Sequence, residues 1–284
     1  GADHVAVGRK ALNSNTTGAA NTAVGVNALQ KNTTGNNNTA VGNSAMDKVT
    51  TGAGNVAVGN DSLISLTTVS NCTAVGYQAL YANTSGRENT AFGSQAMDAN
   101  ATGEFNDAFG RDALGSGDGF NSCCAFGNSA LKANAGDNNS AFGFNALGVS
   151  TTGDNLTAVG YRALQDNTTG YNNTAIGYEA QQNVTTGAGN ASCGHNTLNN
   201  TTTGGSNSAL GNSAGLSVTT GSNNLLLGND AGRSNSPSGE LTTHDNMVVL
   251  GNNDIDNLYC ADTGISSSDK RDKTDIADFT HGLD

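Results

Sequence analysis

The chain has 284 residues, of which 35% are hydrophobic, 5% are aromatic and 39 are glycine. When the order of residues is ignored, a composition this poor in large apolar side chains is typical of disordered proteins. The formal net charge of −12 argues against nucleic acid and anionic membranes as partners, and no apolar run approaches the length of a membrane span.

A glycine marks a short period along most of the chain. It recurs every 17 residues, with one interval of 16, at Gly8, Gly25, Gly42, Gly59, Gly76, Gly93, Gly110, Gly127, Gly143, Gly160, Gly177, Gly194, Gly211 and Gly228. A fixed period with turn residues in every copy is typical of a solenoid in which one repeat forms one coil. The sequence therefore predicts an all-β fold, an elongated parallel β-solenoid of the β-roll or β-helix type. Coils stacked at about 4.8 Å make a rod on the order of 60 Å long.

The residues before each glycine predict a short strand. The residue directly before it is large and apolar, as in Val24 and Phe92, and the preceding one is nearly always alanine, as in Ala23. Neighbours on a strand point to opposite faces, so we expect the large residues to form the core of the coil. The alanines would then form a surface that another chain approaches. A second apolar pair, such as Ala28 and Leu29, predicts a second strand in each coil.

Turn residues fill the rest of each repeat. TTG triplets, as at 33–35, predict a tight turn whose glycine can adopt a positive φ without steric cost. Val69 replaces one such glycine, so we expect a different corner there. The loss of one residue at 132–136 falls in a corner and should leave the strands in phase. The density of Gly, Thr and Asn excludes a helix. Asparagines of one phase predict a ladder of side-chain amides at Asn21, Asn38, Asn55, Asn89, Asn106, Asn139, Asn173, Asn190, Asn207 and Asn224.

Such a thin coil favours self-association. Each repeat has few large apolar side chains for the 17 residues that must be ordered. We therefore expect an oligomer in which the alanine columns meet. A homotrimer is the simplest closed arrangement, although the pattern alone does not fix the number of chains at three.

Aromatic residues are concentrated in the middle of the rod. We interpret the phenylalanines of the large apolar column as a locally larger core rather than a binding platform. The column contains Phe92, Phe109, Phe126 and Phe142. Tyr77, Tyr161 and Tyr178 lie one residue past the glycine and are predicted to face outward, where tyrosines can stack on sugars.

The polar residues predict neither a metal site nor a cofactor. The four histidines and five cysteines share no ligand spacing, no calcium-loop motif recurs, and we expect buried free thiols. Several Asn-x-Thr and Asn-x-Ser triplets would accept glycans in a secretory pathway, but turns require the same residues, and we favour the turn interpretation. These triplets begin at Asn15, Asn32, Asn83, Asn167 and Asn183.

The period divides the chain into three parts. Residues 1–228 are the predicted shaft; because they open inside a repeat, we expect an anchoring region upstream. Residues 229–267 contain the only proline, Pro237, and one further strand motif at 247–251, and are predicted to form a loop and cap. Residues 268–284 form a separate charged segment.

Two stretches resemble known families. The repeats, with their NTAVG motif, resemble the head repeats of trimeric autotransporter adhesins, which are trimeric left-handed parallel β-rolls. SSDKRDKTDI at 267–276 resembles the start of the intramolecular chaperone domain of endosialidase-type phage tail spikes and tail fibres. In that family the C-terminal chaperone trimerises the fibre and then cuts itself off before a serine.

The second resemblance implies a single-turnover self-cleavage between Ser267 and Ser268. Ser268 would be the nucleophile and Lys273 the base, with Asp269 and Arg271 at supporting positions of the motif. Burial or a neighbouring arginine favours a neutral lysine, which can accept the proton of the serine.

These observations predict a structural fibre protein, the distal shaft of a phage tail fibre or spike. It would act in the virion tail or extracellularly and bind a host-surface glycan or protein. It would also need a C-terminal trimerisation domain, because nearly identical repeats make a register shift by one coil cost little free energy. The alternative is the head or passenger region of a bacterial trimeric surface adhesin. An enzyme acting on polysaccharide is less favoured because no coil has an insertion to hold paired carboxylates. Ice binding through the TTG columns is a further, weaker hypothesis.

Overall fold

The computed structural model describes residues 3–255 as one stack of coils. Fifteen three-residue strands pair in parallel, in chain order, to form a single sheet, and the described residues contain no helix. The parallel β-solenoid with one 17-residue coil per repeat is therefore confirmed. The strands are β1 Val5–Val7, β2 Thr22–Val24, β3 Thr39–Val41, β4 Val56–Val58, β5 Thr73–Val75, β6 Thr90–Phe92, β7 Asp107–Phe109, β8 Cys124–Phe126, β9 Ser140–Phe142, β10 Thr157–Val159, β11 Thr174–Ile176, β12 Ala191–Cys193, β13 Ser208–Leu210, β14 Leu225–Leu227 and β15 Val248–Leu250. Accordingly, residues 3–255 include no helix of the length and apolarity that a membrane crossing requires.

The register of the sheet follows the sequence repeat. Ala23 pairs with Ala40 on the next strand, one repeat later. Across the shortened interval Phe126 pairs with Phe142, so the missing residue was removed from a corner, as predicted. The longer step to β15 also preserves the pairing, with Leu226 beside Val249. Changes in repeat length are therefore absorbed outside the strands.

The prediction of two strands in each coil is wrong, because the second apolar pair lies in a turn. Asn27 and Leu29 adopt positive φ values of 58° and 48°, which are incompatible with an extended strand. The N–H of Leu29 donates to the carbonyl of Ala45 in the next coil at 3.0 Å, so these turns stack as the strands do. The Leu29 side chain points inward and is fully buried.

The two faces of the strand are the reverse of those predicted. The central alanines, such as Ala23, are 0% exposed, whereas Phe92 is 42% and Leu210 is 54% exposed. Inside most coils, leucines and methionines of the opposite turn fill the space, so a methyl group is what fits on the inner face of the strand. Leu226 occupies this inner position in β14, where Gly215 replaces the leucine of the opposite turn and leaves room for it. The expected contact between alanine columns of different chains is therefore wrong, as is the interpretation of the phenylalanines as a larger core.

The predicted asparagine ladder is confirmed and lies inside the coil. The side-chain Nδ2 of Asn38 donates to the carbonyl of Gly52 at 2.8 Å, and its Oδ1 accepts from the backbone N–H of Asn55 at 3.0 Å. The Asn38 side chain is completely buried. Each ladder asparagine thus satisfies backbone groups of the next coil that water cannot reach.

Replacing Asn38 with alanine should destabilise the rod by about 3 kcal/mol, because two buried backbone groups lose their partners. A lower urea midpoint and faster hydrogen exchange at the Asn55 amide would report this loss. The matched control is Asn43→Ala, since Asn43 is exposed and its side chain accepts only from the Ser44 hydroxyl. Equal effects of the two substitutions would contradict a structural role for the ladder.

The predicted positive φ at the TTG corner is wrong. Gly35 is not among the residues with positive φ. A Cβ at this position would overlap the carbonyl oxygen of Gly52 and approach Asn32 Oδ1 at 2.5 Å and Asn38 Nδ2 at 3.0 Å. Glycine is required here by lack of space and not by backbone conformation.

Corners without glycine keep one hydrogen bond of the glycine corners and lose another. The carbonyls of Val69 and Phe120 accept from ladder asparagines at 2.9 Å, as a corner glycine does. The bond from the Thr33 N–H to the Thr50 carbonyl has no counterpart from Thr67 to Thr84, so the corner at Val69 is built differently in this respect, as expected. The residues three before and three after the corner, which at Gly35 are Asn32 and Asn38, also change at these corners. The flanking pairs are Leu66 and Cys72 at Val69, Gly117 and Cys123 at Phe120, and Leu241 and Met247 at His244.

Candidate interaction surface

The predicted self-cleavage site cannot be placed in this fold. Ser267, Ser268, Asp269, Arg271 and Lys273 all lie outside the described residues. The candidate functional feature within residues 3–255 is therefore the sheet itself, which the solenoid leaves uncovered on one side.

We call this side the outer sheet face and define it as the first and third residues of β1 to β15. The third residue is Val, Phe, Ile, Leu or, once, Cys, and the first is mostly Thr, Ser or Val. Asp107 is the only charged residue in the described strands, although the chain has 24 acidic and 12 basic residues. Charge is thus concentrated at the turns and nearly absent from the outer sheet face.

The outer sheet face is long, continuous and exposed. Fourteen steps of about 4.8 Å and a strand width of about 10 Å give a strip of roughly 670 Å². Large apolar side chains are exposed at both ends and in the middle, as Val7, Phe142 and Leu250 show. Part of this strip is a row of Thr and Ser side chains, and the large side chains at the third strand positions form a continuous apolar stripe beside it. A soluble monomer rarely exposes a long contiguous apolar stripe, so the strip is a candidate binding surface.

Four phenylalanines stack along the middle of this face. Ring centroids are 5.4, 4.4 and 5.3 Å apart from Phe92 through Phe109 and Phe126 to Phe142, and adjacent planes differ by at most 11°. The strand spacing imposes this stacking, since each ring lies one coil above the next. The rings cover each other's faces and present their edges, so this stack offers sugars little free π surface.

A second aromatic stack begins one residue past the glycine. Phe144, Tyr161, Tyr178 and His195 follow one another with centroid distances of 5.6, 5.0 and 5.1 Å. Tyr178 is 46% exposed, and Tyr77 is exposed as well, so for these two the predicted outward orientation is confirmed. Here too, most ring faces are covered by neighbouring rings, and the guanidinium of Arg162 lies 5.0 Å from the Tyr161 centroid. The stack extends the apolar surface beyond the strands.

The thiols of the described residues are free and divide between the interior and the outer sheet face. Cys72 and Cys123 are buried in the asparagine column, as predicted, and burial raises the pKa of Cys123 to about 11. Cys193 is exposed, which contradicts the expectation of buried thiols, and Cys124 is half-buried on the same face. Because Cys193 is smaller than its neighbours Ile176 and Leu210, it lies in an apolar depression of about 300 Å³.

The asparagines of the Asn-x-Thr and Asn-x-Ser triplets have a structural role. Asn32, Asn83 and Asn167 are fully buried, and each donates to the carbonyl of the corner glycine three residues later. A glycan on such an amide would have to occupy the core of the coil. This geometry agrees with the turn interpretation of the triplets at these three positions.

Within residues 3–255, no three His, Cys, Asp or Glu side chains are grouped so that they could hold a metal ion. No protein-family model matches the chain, and no curated protein matches its sequence. The outer sheet face is therefore the feature on which a functional proposal can be built.

Proposed function

We propose that this chain is the distal shaft of a homotrimeric phage tail fibre or tail spike that takes part in host-surface adhesion. The observation that carries the proposal is the outer sheet face along the whole rod, which has one charged residue, Asp107, and an apolar side chain at the third position of every strand. A stack of coils that exposes such a face requires other chains to cover it, and an elongated bundle is the result. Fibres on virion tails have this shape and work outside the cell, in agreement with the acidic net charge.

The C-terminal motif supports the phage assignment over a general fibre. SSDKRDK stands where a tail-fibre chaperone would begin, and the regular register explains why such a chaperone is needed. Every strand pairs with an almost identical neighbour, so chains displaced by one coil would make nearly the same contacts. A trimeriser that joins the chains at one end before the rod forms removes this ambiguity.

The passenger region of a bacterial trimeric adhesin is the second candidate. It is favoured by the resemblance of the repeats, and it would use the same outer sheet face. The two candidates differ downstream of the shaft, where an adhesin has a coiled-coil stalk and membrane anchor and this chain has SSDKRDK.

The mass of the purified 284-residue chain, measured under native and denaturing conditions, tests the proposal. We expect a native mass three times the denatured mass, and a polypeptide that ends at Ser267. Ser268→Ala and Lys273→Ala should both leave the polypeptide uncut, because they remove the nucleophile and the base. Lys270→Ala is the matched control and should be cut normally, since Lys270 occupies a variable position of the motif.

The possible outcomes separate the parts of the proposal. If the unmodified chain forms a trimer that still contains Ser268 and the residues after it, the self-cleavage hypothesis is contradicted and the fibre hypothesis is not. A stable monomer at high protein concentration would contradict the fibre shaft itself.

A further inference from the structure

We infer that the outer sheet face is the surface along which copies of this chain pack against one another, parallel and in register, an inference that rests on the proposed trimeric shaft. The sequence alone predicts that chains meet through their alanine columns, but those alanines are buried inside the coil, and we assign the contact to the outer sheet face instead. This assignment specifies which residues meet and which stay exposed.

The size and chemistry of the face fit association between proteins. Its roughly 670 Å² of strand surface is of the same order as the roughly 800 Å² per partner of a standard stable interface, and in a trimer each chain divides it between two neighbours. One charge, Asp107, lies within fifteen strands, and depletion of charge is a feature of interface cores. The exposed corners, by contrast, carry threonines and ion pairs such as Arg87 with Glu104.

The period of the face points to a second copy of the chain as its occupant. Val, Phe, Ile and Leu side chains recur once per strand spacing over the whole length of the sheet. A partner can match that repeat along the entire rod only if its own side chains recur at the same spacing. A second copy meets this condition by construction.

The variation in side-chain size along the face favours parallel, in-register packing. Valines occupy the third strand position through β5, phenylalanines occupy it from β6 to β9, and the Cys193 depression follows at β12. If one chain shifted by one coil, Phe142 at the end of its phenylalanine column would face the smaller Val159 of the other chain. An antiparallel arrangement centred on β8 would bring Cys193 to Val58 of β4, whereas in-register packing brings Cys193 to Cys193.

A charge on the face tests the surface. Phe126→Lys should raise the protein concentration for half-assembly at least about 100-fold, because a lysine would be buried without a partner in each copy. The matched control Thr51→Lys adds the same charge at an exposed corner and should leave the native mass unchanged. In the Phe126→Lys monomer, an unreactive Cys123 thiol and an unchanged circular dichroism spectrum would show that the coils are still folded.

Thiol chemistry tests the register. A short bis-maleimide crosslinker, or mild oxidation, should join Cys193 to Cys193 in the native assembly, with the site assigned by peptide mass mapping. The product should disappear in Cys193→Ser. The same variant with a new thiol at the exposed corner, Cys193→Ser with Thr203→Cys, should give no crosslink at position 203, whereas Cys124, on the same face, remains in all variants.

The outcomes distinguish failure of the assigned packing surface from failure of the proposed trimeric shaft. A Phe126→Lys trimer that crosslinks through position 203 would overturn the assigned surface and leave the trimeric shaft intact. An assembly without Cys193 crosslinks would overturn the in-register arrangement. A monomeric unmodified chain would overturn both.

Discussion

Replacing Gly93 with alanine is expected to disrupt the middle of the rod and cost about 4 kcal/mol. Gly93 has a φ of +144°, which side-chain-bearing residues rarely adopt, and a Cβ there would overlap the carbonyl group of Gly110 in the next coil. Two rigid backbones meet at this point, so no side-chain movement can relieve the overlap. Hydrogen exchange should show lost protection in β6 and β7, while the strands near the ends of the rod keep theirs.

Gly239→Ala is the matched control for this effect. Gly239 also has a positive φ, +68°, but nothing lies within 4 Å of a Cβ built at that position. We expect a loss of about 1 kcal/mol from backbone strain alone. If both substitutions lowered the denaturation midpoint equally, close approach between coils would not be the reason for the glycine column.

The second large effect is expected at a TTG corner. Gly35→Val should destabilise the rod by about 3 kcal/mol, because its Cβ overlaps the carbonyl oxygen of Gly52 and the new side chain is forced against Asn32 and Asn38. The triple variant Asn32→Leu, Gly35→Val, Asn38→Cys recreates the natural combination of Leu66, Val69 and Cys72, and should recover at least half of this loss. Urea denaturation of the single and triple variants measures the recovery.

The double variant Asn32→Leu, Asn38→Cys provides the control for this cycle. With glycine retained, it should be less stable than the unmodified chain, since the ladder amide is lost and no corner side chain fills the space. Strict additivity of the three substitutions would show that the corner and its flanking residues do not compensate for one another.

Much of the architecture could be predicted because it depends on period alone. The glycine spacing defines the coil, and parallel stacking follows because each coil repeats the residues of the last. The asparagine ladder could be predicted as well, because stacked coils bring residues of constant phase together. That these side chains point into the coil and bind the backbone of the next coil is a finding of the structure.

The two faces could not be predicted in the same way, because alanine and valine are both apolar and alternate on a strand. The deciding factor is the volume inside the coil, which depends on where Leu29 and its equivalents point. They point inward because their turn adopts positive φ values, which neither β-branching nor hydrophobicity reveals. For the same reason the candidate binding surface was assigned to the wrong side of the strand.

The corner geometry, by contrast, has a signal in the sequence. Val69 departs from glycine where Leu66 and Cys72 depart from asparagine, and Phe120 is likewise flanked by Gly117 and Cys123. At these two corners the three positions change together, which indicates that their side chains adapt to one another. Gly153 keeps glycine between Ser150 and Leu156, so the flanking positions also vary on their own.

The constant register also makes the rod an adjustable spacer. Because each strand pairs one repeat onward, insertion or deletion of one whole repeat preserves every type of contact between coils. Such a change alters only the distance between the two ends, by about 4.8 Å per repeat. If copies of one gene product assemble together, all of them lengthen at once, so reach can evolve without any change in stability per coil or in the surface that joins the chains.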